Sequence, residues 1–246
     1  MGVFEVKNKT ADSADLYIYG DIVSSEFEKW SREDVCPADM VSILNDIKDV
    51  LQLNIHINSC GGNVFAGFAI YNQLIRHKAK KTVYVDGLAA SIASVIAMCG
   101  DTFIMPANSY LMIHKPFTLT IGNSTELRKT ADELDMFEKS IIDVYMKHAA
   151  DDTTVETLTD LVAAETWLTA SEASHLFNNI IIEQENAAAA CISDLKMKNI
   201  PVGVKITAKS QLIKPDETGD EGKTNNNILL ENIKNFIFLE EETADE

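Results

Sequence analysis

The stretch Gly87-Leu-Ala-Ala-Ser91-Ile-Ala-Ser-Val-Ile-Ala-Met-Cys99-Gly100 decides how this chain is read. Before it, Lys81-Thr-Val-Tyr-Val85 crowds β-branched and aromatic residues into a short run, which predicts a buried strand. After Ser91 the chain runs from Ile92 to Cys99 without Gly or Pro, which predicts a buried helix. Ser91 then stands where a strand turns into a helix, beside first-turn N–H groups and the positive end of the helix dipole. Such a place favours negative charge.

Upstream, Asp15-Leu-Tyr-Ile-Tyr-Gly20 alternates and ends at a glycine, predicting a first strand and a turn. Val41 to Leu51 carries Ile43, Leu44, Ile47, Val50 and Leu51 at helical spacing, so an amphipathic helix is expected there. Asn54 to Asn58 reads as a strand ending in Ser59-Cys-Gly-Gly62, and Val64 to His77 as the next helix. This alternation predicts α/β architecture, with repeated βαβ units and parallel strands. Gly61 and Gly62 allow a close backbone approach and could present N–H groups to a carbonyl oxygen; a plain strand-to-helix connection is the alternative.

Downstream, Asp101 to Met105 and Tyr110 to His114 read as strands. Pro116 cannot donate to a ladder, so His114 should lie at a strand end, where sites in α/β sheets collect. Ser124 to His148 predicts a long helix capped by Ser124 or Thr125, with Leu127, Ala131, Leu134, Phe137, Ile141 and Val144 on one face and charge on the other. Helices are also expected at Val155 to Ala164 and from Ala170 to Phe177, on either side of Glu165-Thr-Trp-Leu-Thr169. Residues 1–185 form one domain in this reading, and 186–246 an extension. In the extension Ala187 to Ala190 reads as helical and Pro201 to Ile206 as a strand. A polar linker from Lys214 to Asn227, an apolar helix from Ile228 to Leu239 and an acidic end follow.

Composition narrows the classes. With 246 residues, 46% of them hydrophobic, a sizeable core is available; a net charge of −17 argues against nucleic-acid or anionic-membrane partners, which need clustered Lys and Arg. Met1 to Lys7 lacks a signal-peptide layout, and the Gly87 to Gly100 run is too short to span a bilayer, so a cytoplasmic protein is expected. Cys36, Cys60, Cys99 and Cys191 lie far apart without a Cys-x-x-Cys pair. Reduced thiols follow, with no metal site and no cofactor expected. Gly219-Asp-Glu-Gly-Lys-Thr224 has only two residues between its glycines, too few for a phosphate loop.

What remains is a serine at a helix start, a histidine at a strand end, an acidic residue before a helix and a glycine turn. A serine hydroxyl needs a base to take its proton, and histidine titrates in the right range. A carboxylate then orients the imidazole and stabilises its cation. The absence of a Gly-x-Ser-x-Gly elbow disfavours an α/β-hydrolase.

At these residues the sequence resembles the Clp protease proteolytic subunit family, and within it the proteases of tailed-phage head maturation. Asn58-Ser-Cys-Gly-Gly62 is similar to the family's Asn-Ser-Pro-Gly-Gly loop, Gly87-Leu-Ala-Ala-Ser91 to its nucleophile motif, Met112-Ile-His114-Lys-Pro116 to its His-x-Pro segment, and Glu165-Thr-Trp-Leu-Thr-Ala170 to the stretch holding its acid. The resemblance runs from about Leu16 to Glu183. It implies Ser91 as nucleophile, His114 as general base and then acid, and the amides of Gly62 and Ile92, supported by Gly61, as oxyanion hole. Glu165, where the family carries aspartate, would be the third member, with Asp160 and Asp151 as alternatives; Ser94 is read as packed.

The same resemblance implies the fold shared by Clp proteases and crotonases, stacked homo-oligomeric rings and a polypeptide substrate. The long helix would project as the handle between rings. Two departures bear on partners and on the loop. The chain reaches its first strand without the family's longer N-terminal segment, which puts an ATPase partner in question, and Cys60 replaces the loop proline. The expected function is a serine endopeptidase acting on scaffold or capsid proteins of a phage prohead. A general peptidase subunit working with an ATPase unfoldase is the alternative. A crotonase-type acyl-CoA enzyme and a non-enzymatic capsid component are further readings.

Overall fold

Hydrophobic alternation, and the places where it breaks, explain the layout of the computed structural model, which describes residues 6–184, 190–192, 197–201 and 204–207. A short β1 (Val6–Lys7) pairs antiparallel with β2 (Ser13–Ile18). There follow α1 (Pro37–Asp46), β3 (Gln52–Ser59), α2 (Val64–Arg76), β4 (Lys80–Ala90), α3 (Ile92–Ala97), β5 (Thr102–Pro106) and β6 (Tyr110–Ile113). Then come α4 (Ser124–Met146), α5 (Val155–Ala163), β7 (Thr166–Thr169), α6 (Ala170–Leu176) and β8 (Ile180–Glu183). A separate parallel pair follows, β9 (Ala190–Ile192) and β10 (Lys205–Thr207).

The main sheet runs β1-β2-β3-β4-β5-β8, parallel throughout apart from β1, as the alternation of strand and helix predicts. Along β3, Leu53, Ile55 and Ile57 are fully buried and alternate with half-buried Asn54 and His56. On the half-buried face His56 stacks between Tyr17 and Tyr84, with ring centroids 4.5 and 4.8 Å away. Asp86 accepts a 2.6 Å hydrogen bond from the Tyr19 hydroxyl and lies 2.9 Å from His56 Nδ1.

β4 is the element on which the site depends, because it serves two neighbours. Thr82–Tyr84 pair with Thr102–Ile104 of β5, and Leu88–Ala90 pair with Tyr110–Met112 of β6. The β3–β4 register shifts between Ile57 and Ser59, and β6 pairs antiparallel with β7. Here the structure corrects the sequence reading: Gly87-Leu-Ala-Ala90 continues the strand, and the helix after Ser91 has six residues, all buried. A buried run of small apolar residues has no periodicity of its own, so the partner strand decides its conformation.

Other departures are local. α1 starts at Pro37, where proline suits the first helical position, and ends before Val50 and Leu51. The cap of α4 is Asn123, whose Oδ1 accepts from the amides of Thr125 and Glu126 while the Glu126 carboxylate accepts from the Asn123 amide. Only the last third of α4 is buried among the described residues, at Glu138, Ile141, Ile142, Val144 and Tyr145; Leu127 and Met136 are exposed. Ala190, expected to close a helix, opens β9, and Pro201 precedes rather than joins β10. The linker from Lys214, the helix from Ile228 and the acidic end lie outside the described residues. No described helix is long and apolar enough to cross a membrane.

The cysteine reading also needs correction. Cys36 and Cys99 are free thiols, but Cys60 is disulfide-bonded. Distance along the chain says nothing about which cysteines a fold brings together.

α2 crosses α3 closely because Gly67 carries no side chain: a Cβ there would lie 2.1 Å from Ile92 Cγ1. Gly67→Ala gains about 1 kcal/mol of helix propensity. It loses about 1–3 kcal/mol to overpacking against a stiff β-branched side chain. The expected outcome is a net loss in denaturant midpoint with unchanged m-value; a more stable variant would show that the helices can part freely.

Candidate active site

The end of β4 delivers Ser91 in a conformation unusual for a residue with a side chain, φ 55° and ψ −130°. Such strain costs about 1–3 kcal/mol and persists where the surroundings over-determine it. The Ser91 N–H donates to the Met112 carbonyl at 2.9 Å, continuing the β4–β6 ladder one residue past the strand. Its carbonyl accepts from the Ser94 amide at 3.0 Å and from the Ser94 hydroxyl at 2.5 Å. Ile92 opens α3, so its own amide precedes the intrahelical ladder.

His114 follows the last residue of β6, two beyond Met112, and its Nε2 lies 2.7 Å from Ser91 Oγ. The imidazole is 8% exposed, and the ring of Phe117 meets it edge-on at 5.7 Å. Burial pulls the His114 pKa below its ordinary 6.5, while the negative charge of Glu165 pushes the other way. Burial wins, so the ring is held neutral and able to accept a proton.

Glu165 is placed by sheet register. β7 pairs antiparallel with β6, Thr166 opposite Ile113, so one further step sets Glu165 opposite His114. Its backbone is left-handed, φ 52°, as the chain turns from α5 into β7. Glu165 Oε1 accepts a hydrogen bond from the Lys198 amide, and among the described residues none joins it to His114. Its action on His114 is through charge. Asp151 and Asp160, the alternatives, exert no comparable influence on the ring.

The glycine loop faces Ser91 from the other side. Gly61 and Gly62 have φ of 95° and 145°, and a Cβ on Gly61 would lie 2.7 Å from Ser91 Cβ and 3.1 Å from Ile92 N. The loop is gripped on two sides. Ser59 Oγ donates to the Gly20 carbonyl at 2.6 Å and accepts from the Gly61 amide at 3.1 Å. The Ile22 amide donates to the Gly61 carbonyl, and the Asn63 amide to the Ile22 carbonyl, at 2.8 and 2.7 Å. This ladder uses the neighbours of the Gly62 amide and leaves that amide unengaged by the described residues.

Ser91, His114, Glu165, Gly61, Gly62 and Ile92, all named from sequence, thus converge on one place. The sequence reading missed Ser59 as the brace of the loop, Lys198 as the anchor of Glu165, and Tyr145, whose hydroxyl lies 2.7 Å from Ser94 Oγ. Tyr145 sits at a regular apolar position of α4, so its spacing carried no functional signal. Elsewhere Glu26, Cys36 and Asp39 bring possible metal-ligand atoms within 4.8 Å of one another. Lys29 Nζ occupies that cluster, 2.8 Å from Glu26 Oε1 and 2.6 Å from Asp39 Oδ1.

A family model described as Clp protease matches residues 17–183. The ATP-dependent Clp protease proteolytic subunit 1 of Chlamydia abortus is 38% identical over 122 residues, covering 48% of this chain and 62% of that protein. Its counterpart from Protochlamydia amoebophila is 34% identical over 122 residues, covering 48% and 58%. The ATP-dependent Clp protease proteolytic subunit of Deinococcus radiodurans is 35% identical over 100 residues, covering 39% and 48%. The chain therefore spans less than two thirds of the length of these curated relatives.

A hydrolysis that draws on neutral His114 follows that ring's neutral fraction, so the acid limb of kcat/KM should lie below the ordinary histidine value of 6.5. Glu165→Gln removes the charge opposing burial and should move the limb further down; a limb moving up in a pH–rate profile would contradict this electrostatic balance. Gly61→Ala, whose Cβ would press on the Ala90 carbonyl and Ser91 Cβ, should lower kcat by roughly 10², the scale of a displaced oxyanion donor, with the fold intact by circular dichroism. Wild-type turnover in that variant would show that the loop does not position the oxyanion donors.

Proposed function

The chain belongs to the Clp protease family, and from that premise we propose that it is a serine endopeptidase with Ser91 as nucleophile. The observation that carries the reading is the 2.7 Å approach of His114 Nε2 to Ser91 Oγ, with the imidazole buried and held neutral. Ser91 Oγ attacks the scissile carbonyl carbon as its proton passes to His114 Nε2, and the oxyanion that forms lies against the amides of Gly62 and Ile92. The imidazolium, stabilised by Glu165, gives its proton to the leaving amine. Water then attacks the acyl-enzyme by the same route in reverse and releases Ser91. A positioned base contributes about 10²–10⁴ in rate and each oxyanion donor about 10²–10³.

Stacked homo-oligomeric rings are part of the proposal. What supports them is the exposed amino-terminal part of α4, with Leu127 and Met136 open to solvent. The proposed substrate is a polypeptide, more narrowly the scaffold or capsid protein of a phage prohead, cleaved in the host cytoplasm. That reading leans on Glu165-Thr-Trp-Leu-Thr-Ala170 and on the extension beyond residue 185. The relatives' names favour a second reading, in which an ATP-dependent unfoldase feeds the site.

The test is labelling with a fluorophosphonate, in which a Ser91 Oγ–P bond forms, the P–F bond breaks, fluoride departs and His114 takes the serine proton. Labelling should vanish in Ser91→Ala and slow by about 10²–10⁴ in His114→Ala. It should accompany a large assembly on size-exclusion chromatography. A wild-type protein that neither labels nor assembles overturns the protease reading; acyl-CoA turnover surviving in Ser91→Ala would favour a crotonase-type enzyme instead. Cleavage of a purified scaffold protein without nucleotide supports the prohead role, and cleavage only with an unfoldase and ATP supports the second reading.

A further inference from the structure

At the carbonyl of Ser91 lies a buried polar pair that the proposed chemistry does not use. Ser94, on α3, is wholly buried, and Tyr145, near the end of α4, is 1% exposed. Ser94 Oγ lies 2.5 Å from the Ser91 carbonyl oxygen and 2.7 Å from Tyr145 Oη. A carbonyl only accepts, so the single Ser94 proton goes to Ser91, and Tyr145 must donate to Ser94. Burial raises the Tyr145 pKa far above the working range, so the phenol keeps the proton it donates. Its ring is packed beside Phe177, with centroids 5.8 Å apart.

The carbonyl of Ser91 and the amide of Ile92 are two ends of one planar peptide unit. Hydrogen bonds that fix the direction of the carbonyl therefore fix the direction of the amide, which points the opposite way. Residues holding the carbonyl from behind also aim the donor in front. We propose that Tyr145 and Ser94 form a positioning relay that holds the Ser91–Ile92 peptide plane and so aims the Ile92 amide at the reacting oxygen; this rests on the reading of Ser91 as nucleophile. The relay also bears on the unusual backbone of Ser91, whose ψ of −130° is fixed by a carbonyl engaged by both the amide and the hydroxyl of Ser94. It begins on α4, the helix whose exposed part is proposed to carry the assembly contacts. The nucleophile's geometry therefore depends on how α4 is docked.

The experiment is a double-mutant cycle of Ser94→Ala and Tyr145→Phe in the full-length protein, with kcat expressed per fluorophosphonate-labelled site. The affinity of a peptide boronate, whose tetrahedral adduct places an oxygen in the oxyanion position, is measured in parallel. Ser94→Ala should lower kcat about 10-fold, the scale of one misaligned hydrogen bond, with KM unchanged and boronate affinity falling in step. Tyr145→Phe, which removes one oxygen and keeps the ring, should act in the same direction, and the double variant should be no slower than Ser94→Ala. Multiplying effects, or loss of thermal stability with kcat and boronate affinity unchanged, would overturn the relay and leave the nucleophile in place. A wild-type protein that does not label removes the reading beneath the relay, and the relay with it.

Discussion

The hydrogen bond from the Ser91 amide to the Met112 carbonyl is the contact on which the site depends. It carries the β4–β6 ladder one residue beyond the strand and brings the ends of the two strands level. His114 then follows two residues after Met112, on the pleat that faces Ser91. The antiparallel return of β7 brings Glu165 opposite His114 by the same continuation of register. Because side chains alternate with a period of two, a slip of one residue at either pairing would turn His114 or Glu165 to the other face of the sheet. The site is thus first a matter of backbone pairing and only then of side-chain chemistry.

Two opposing electrostatic effects meet at His114. Removing the ring from water disfavours its cation, and the charge of Glu165 favours it. A base that is too well stabilised as a cation would hold its proton; one left only to burial would be too weak to take it. The observed balance, with burial ahead, leaves a neutral ring that gains its partner's help only as positive charge develops. Ser91 is held in a strained backbone conformation and Gly61 in one open to glycine, so both are fixed in place by the fold itself.

Most of the residues that the structure brings together around Ser91 could be read from the sequence, because residue type reports directly on chemistry there. A serine after Gly-Leu-Ala-Ala, paired glycines after a strand and a histidine before Lys-Pro each carry a physical reason in one-letter order. What escaped were features set by the fold. The run Gly87 to Ala90 is equally suited to strand or helix until β6 is beside it, and Thr166–Thr169 is too short to declare itself a strand without that same partner. Serine and threonine follow Asn123 at once, so three adjacent residues are equally suited to cap α4 until their amide partners are in place. Ser94 and Tyr145, 51 residues apart, are joined by a hydrogen bond that no periodicity signals. The Cys60 disulfide belongs to the same class, a cross-link specified in space rather than by spacing.

The stretch around Lys198 has a consequence for how this chain could vary over time. Lys198 gives its amide to Glu165 and its carbonyl to the Trp167 indole, at 2.8 Å for the latter, while Met197 packs against Cys60, Leu88, Ala90 and Met112. These contacts fall past residue 183, where the match to the family ends. The Glu165 carboxylate is therefore tethered by a piece of chain beyond that match, through a main-chain atom. A substitution at Lys198 leaves its amide in place, so the side chain is free to drift, whereas proline would remove the donor. Selection on this tether would act on chain path and length, and would leave little trace in residue identity.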